Sequence, residues 1–242
     1  MPAGRTVSGS ILKYIAAAAM LLDHIGAVVL EPQLAGSASR GLALVYLLLR
    51  CIGRLAFPIF CFLLTEGVRH TSNARRYALR LLLFALLSEL PFNYATTGRW
   101  LDPGRANNVF FTLLFGFSAL QILRLLQRRW GDTSKATLAG GLAAAGLCAA
   151  AAEALGSDYG ALGVLAIVLL YIIPPVFPQN KPVGFLTAIL PLFLLNGMEW
   201  FALPDIWLLA AYNGTRGRQH RAFFYLFYPL HLLALGLLAH AI

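Results

Sequence analysis

Apolar runs, most of them 18 to 25 residues long, alternate along the chain with short basic, Gly-containing or Pro-containing turns. A bilayer's hydrocarbon core takes roughly 20 apolar residues per helix. The pattern therefore predicts about nine spans, at 11–30, 42–66, 77–94, 108–126, 137–155, 160–173, 183–195, 201–212 and 222–242. Glu31-Pro32 ends the first span, and His70-Thr71-Ser72-Asn73 stops the second and restarts the third. The stretch 201–212 is the shortest of the set. In 137–155 the frequent Ala and Gly favour close helix packing.

Lysine and arginine placement gives this count a direction. With the N-terminus inside, twelve fall in cytoplasmic segments, among them Arg5, Arg69, Arg75, Arg76, Arg128, Arg129, Arg216, Arg218 and Arg221. Only Arg40, Arg99 and Arg105 fall outside. The positive-inside rule thus puts the N-terminus in the cytoplasm and, after nine crossings, the C-terminus outside it. The expected fold is an all-α polytopic transmembrane bundle, one integral membrane domain over 1–242.

Composition agrees. The chain is 59% hydrophobic and 12% charged, against about 25% charged in soluble domains. Its net charge of +9 is accounted for by the topology bias, so no nucleic-acid partner is inferred. Cys51, Cys61 and Cys148 are widely spaced within apolar spans, which suits neither a disulfide framework nor a zinc site. No metal is expected, and no P-loop, dinucleotide fingerprint, HExxH or CxxC is present. The basic-then-apolar start looks like a signal peptide, but Asp23 and His24 interrupt the run, so it is read as a retained helix.

Charge inside apolar spans costs a few kcal/mol per residue, so it points to partners or to use. Arg50 and Arg54, four apart, share a helix face, as do Glu66 and His70. Asp23, His24, Arg50, Arg54, Glu89, Asn93, Asn107, Asn108, Glu153 and Asp158 all fall toward the outer leaflet in the predicted topology. They read either as structural ion pairs or as a polar catalytic cavity. In the catalytic reading His24 is a general base or nucleophile, and Arg50 and Arg54 stabilise an oxyanion or hold a carboxylate. His231, on one face with Tyr225 and Tyr228, is a packing residue or a second base candidate. Neighbouring Asp23 points too far from His24 to orient it.

At the inner surface, His70, Arg75 and Arg76 in one turn, and Asn213, Arg216 and Arg218 in another, could receive phosphates. A solvated turn explains His70 as well, and the topology rule explains the arginines. Asn213, Gly214 and Gly217 permit an unusual backbone at a helix end.

The segments LKYIAAAAMLLDHIG (12–26), RCIGRLAFPIFCFLLTEGVRHTSN (50–73), YALRLLLFALLSELPFN (77–93), NVFFTLLFG (108–116), DYGALGV (158–164) and YNGTRG…FFYLFYPLHLL (212–233) resemble the TraX family. The namesake is an inner-membrane protein of conjugation that N-acetylates pilin. The resemblance implies an acetyltransferase of the bacterial inner membrane. Acetyl-CoA would be its cosubstrate, and a pilin-like peptide or envelope glycan its acceptor. A small secondary transporter and a non-catalytic partner in pilus or envelope assembly are the rival readings. Inverted repeats would favour the transporter, and none is found in the sequence.

Overall fold

The computed structural model describes residues 6–35, 39–102, 106–218 and 220–241. Arg5 and Arg105, counted in the charge bias, lie outside the described residues, and so does the side chain of Arg221. Within them the chain is helical and without strands: α1 (Gly9–His24), α2 (Arg40–Gly53), α3 (Ala56–His70), α4 (Ala74–Thr97), α5 (Val109–Trp130), α6 (Lys135–Ala154), α7 (Gly160–Ile172), α8 (Lys181–Ile189), α9 (Asp205–Ala210) and α10 (Arg221–Ala241). Short polar side chains start several of them. Ser8, Ser39, Asn108 and Ser134 each accept from a backbone N–H two or three residues on, satisfying a donor the helix leaves unpaired.

Six helical stretches among the described residues are long and apolar enough to cross a bilayer: Gly9–Leu34, Arg40–His70, Ala74–Thr97, Val109–Trp130, Lys135–Ala154 and Phe223–Ala241. They coincide with predicted spans one to five and nine. The sixth and seventh are shorter apolar helices, Gly160–Val176 and Lys181–Leu194. The eighth is not one helix. Leu203 and Pro204 separate a 3-10 segment, Gly197–Ala202, from the six-residue α9. The twelve residues 201–212, mostly apolar, read as a short span, yet they fall in two pieces too short to cross.

The predicted second span also divides, into α2 and α3. Arg54 N–H and Leu55 N–H turn back to the carbonyls of Cys51 and Ile52 in the tighter i−3 pattern. Pro58 explains the break: its ring crowds the carbonyl four residues earlier, that of Arg54. The first span changes pitch too. α1 ends at His24 and continues as a π-helical turn, Ile25–Leu30, a rare form concentrated at functional sites.

The chain forms two compact units. The first comprises residues 1–60, 86–105 and 196–242. In it α1 packs on α2, the π turn packs on α2 and α10, and the 197–202 segment packs on α2. Two glycines set the α1–α2 approach. A Cβ on Gly53 would overlap the Asp23 side chain, and one on Gly26 would lie 3.1 Å from Arg50 Cδ. The loop before α10 grips the start of α1: Asn213 N–H donates to Val7 O and Gly9 N–H to Thr215 O, both at 2.9 Å. Gly214 and Gly217 take φ of 80° and 68°, the unusual backbone expected there. α1 and α10 thus both start from this end.

The second unit comprises residues 61–85 and 106–195. Its α5, α6 and α7 pack mutually, with α8 on α7. Gly116 accepts the Ile167 side chain where a Cβ would collide. Gly140 and Gly141 do the same for Leu126 and Leu123, which is the close packing expected of the small-residue helix. Polar residues here finish helix ends. Glu153 Oε2 accepts from Ala161 N–H at 2.9 Å in the first turn of α7, and Asn108 Nδ2 donates to Ala85 O at 2.8 Å.

Candidate active site

The first unit brings together five of the six predicted catalytic residues: Asp23, Arg50 and Arg54 in one ionic cluster, and His24 and His231 in a pair beside it. Asp23 and His24 close α1, and one step along a helix turns the side chain by about 100°, so they serve different partners. Asp23 faces α2. Arg50 Nη1 donates to its Oδ2 at 2.7 Å, and Arg54 Nη2 bonds its Oδ1. The four-residue spacing of the arginines puts both guanidinium groups on one carboxylate.

A residue missed by sequence reasoning completes this cluster. Glu199, in the 3-10 segment, accepts from Arg54 Nη1 at 2.8 Å, and its side chain is only 1% exposed. Two cations now face two anions, so the buried group is neutral overall, which is what makes its burial bearable. Charge balance was the available signal, because Asp23 alone cannot offset two arginines. Arg50 and Arg54 are thus engaged by carboxylates, the ion-pair arrangement that was one of the two readings of these charges. Arg50 Nε and Glu199 Oε2 remain buried without a hydrogen-bond partner among the described residues.

His24 faces the other way, toward α10. Its Nδ1 lies 2.7 Å from His231 Nε2 across 207 residues of chain. His231 Nδ1 lies in turn 2.6 Å from the Phe227 carbonyl one helical turn back. This second contact fixes the protons. A carbonyl oxygen only accepts, so His231 Nδ1 carries its hydrogen. With both rings uncharged, His231 Nε2 is then bare and accepts from His24 Nδ1–H. His24 Nε2 is left with a free lone pair, and it makes no hydrogen bond among the described residues. Phe227 lies nearly parallel to the His231 ring at 4.7 Å between centroids, and Tyr228 meets both histidines edge-on at 6.0 and 5.6 Å. The packing holds both imidazoles in place.

Glu89 belongs to the same unit. It lies on α4 and accepts from Asn93 Nδ2, one turn on, at 3.4 Å, and Asp23's ion pairs go to the arginines instead. Asn108 Nδ2 donates to Ala85 O and Glu153 accepts from Ala161 N–H, both in the second unit.

Each set of candidate phosphate-binding residues stays within one unit. In the second unit, His70 is 73% exposed on its side chain and lies 3.7 Å from Glu66, and Arg75 and Arg76 are exposed. In the first, Arg216 and Arg218 are exposed, whereas Asn213 is committed: its Oδ1 accepts from Thr215 N–H at 2.9 Å and from Thr215 Oγ1 at 2.7 Å. The exposed arginines suit a polyanion, and Asn213 serves the turn. No group of three or more metal-ligating side chains occurs among the described residues.

The family model described as TraX protein matches residues 8–239. Among curated proteins, the chain is 29% identical over 252 aligned positions to the probable fimbrial assembly protein FimC, serogroup H1, of Dichelobacter nodosus. That alignment covers 93% of this chain and 92% of that protein. No solved structure matches the chain.

Proposed function

The chain belongs to the TraX family, and on that premise we propose that it is a membrane-embedded acyltransferase serving pilus assembly. It moves an acetyl unit from acetyl-CoA to an amine or hydroxyl of a pilin-like or envelope acceptor. The name of its fimbrial relative supports the setting. The observation that carries the chemistry is the His24–His231 pair, whose proton order leaves His24 Nε2 bare.

In this reading His24 Nε2 removes the proton from the acceptor's N–H or O–H as that atom attacks the acyl carbon. His231 is a positioning residue. Anchored on the Phe227 carbonyl, it fixes the His24 tautomer and accepts from the Nδ1–H of the imidazolium that forms. Acetyl-CoA supplies the activated thioester: its C–S bond breaks as the new bond to the acceptor forms, and the CoA thiolate leaves with the proton that His24 took up. The CoA phosphates suit the exposed guanidinium groups of Arg216 and Arg218 in the same unit. Asp23, Arg50, Arg54 and Glu199 lock α1 to α2 and so hold His24 in register.

The protein sits in the bacterial inner membrane with its N-terminus cytoplasmic and its C-terminus outside, as the Lys and Arg bias requires. The shared starting end of α1 and α10 supports opposite sides for the two termini.

The test is transfer of labelled acetyl from acetyl-CoA by purified protein in lipid. His24→Gln should lower the rate by about 10²- to 10⁴-fold, the span of a lost general base. His231→Gln should lower it less and shift its pH profile. Full activity in His24→Gln overturns the assignment. Rescue of pilus assembly by His24→Gln with no detectable transfer selects the non-catalytic assembly role that the relative's name also allows.

A further inference from the structure

The second unit contains a cleft of about 650 Å³ between α5, α6 and α7. Its walls are apolar: Leu123 from α5, Leu142 and Ala145 from α6, and Val168 from α7. One end is polar, with Arg69 and Asp132 on its rim. From Thr137 at that end to Ala145, α6 rises by about 12 Å, most of the roughly 15 Å depth of one leaflet's hydrocarbon. Leu138 and Leu142 are 59% and 75% exposed along it, so the cleft has a long apolar lip and a charged mouth.

The mouth carries both signs of charge. Arg69 is held in place: Nη2 donates to Tyr171 O at 2.7 Å, and the guanidinium carbon lies 4.9 Å from the Tyr171 ring centroid. Its Nε is 3.8 Å from Glu66, and its Nη1 has no partner among the described residues. Asp132 is exposed and likewise makes no hydrogen bond or ion pair among them. A guanidinium nitrogen and a carboxylate, both unengaged, thus flank the opening of a groove shaped for a hydrocarbon chain.

We propose that this cleft holds a bilayer phospholipid with a phosphoethanolamine headgroup, its phosphate on Arg69, its ammonium on Asp132 and one acyl chain along α6. The two-signed mouth selects the headgroup. A purely anionic lipid would satisfy Arg69 but set its remaining charge against Asp132, and a polyphosphate would meet Asp132 and Glu66 together. The basic residues Arg128, Arg129 and Lys135 at the same end of α5 and α6 put the site in the cytoplasmic leaflet.

The experiment is native mass spectrometry of the full-length protein from micelles holding equal amounts of phosphatidylethanolamine and phosphatidylglycerol with identical acyl chains. Bound phosphatidylethanolamine should exceed phosphatidylglycerol by about two- to fivefold, the scale of one exposed ion pair. Asp132→Asn should erase that preference at unchanged thermal stability, because this side chain bonds nothing in the fold. Arg69→Gln should reduce both lipids by about tenfold or more. Equal binding of the two lipids by the wild type overturns the proposal. So does an unchanged preference in Asp132→Asn, or displacement of the lipid by free CoA at equal concentration.

Discussion

Removing one charge from the Asp23, Arg50, Arg54 and Glu199 cluster should cost far more than removing two. Formal charge in the wild type is +2 − 2 = 0. Arg54→Met makes it +1 − 2 = −1 and strands Glu199, whose side chain is 1% exposed. Glu199→Leu makes it +2 − 1 = +1, and the double variant returns it to +1 − 1 = 0. With charge centres about 4 Å apart and an effective dielectric near 20, each attraction is about 4 kcal/mol. Stranding one buried ion costs about 3–5 kcal/mol. Arg54→Met should therefore lose about 3–5 kcal/mol and Glu199→Leu about 3. The double variant should lose only about 1–2, because Asp23 keeps Arg50. Unfolding of the four proteins in mixed detergent micelles measures the coupling, expected at about 3 kcal/mol or more. Simple additivity, with the double variant as unstable as the sum of the singles, refutes the neutral-cluster account.

Three further expectations follow from the geometry. Nitrogen-15 NMR of histidine-labelled protein near neutral pH should show both His24 and His231 as the Nδ1–H tautomer; finding His231 with its hydrogen on Nε2 breaks the proton order derived above. Gly53→Ala should force α1 from α2 and cost about 1–3 kcal/mol, read as a lower unfolding midpoint; an unchanged midpoint means the helices are not held as close as Gly53 and Asp23 indicate. Asp205 is fully buried, and neither carboxylate oxygen has a hydrogen-bond partner among the described residues. Asp205→Leu should raise stability by about 1–3 kcal/mol, and a loss instead would mean that the carboxyl has an occupant.

The main helices were legible because length and hydropathy decide a transmembrane helix almost alone. Spacing gave the Arg50 and Arg54 face and predicted that Asp23 and His24 would diverge. Glu199 was missed because its meaning depends on Arg54, which is 145 residues away. The histidine pair was half visible: each ring was named as a candidate, but their contact depends on α10 returning beside the π turn. Residues 201–212 misled because an apolar run reports burial and not continuity, and Leu203-Pro204 divides it.

The two partnerships of α1 are closed at very different moments in the life of the chain. Asp23 meets its arginines 27 and 31 residues later, so the first hairpin carries one arginine charge in excess until Glu199, 145 residues beyond Arg54, balances it. His24 must wait for a residue 207 positions downstream. At about 5–20 residues per second, the ribosome takes roughly 10 to 40 s to deliver it. Asp23 is thus paired while the chain is half made, whereas the charge balance of the cluster and the histidine contact both wait for its C-terminal segments.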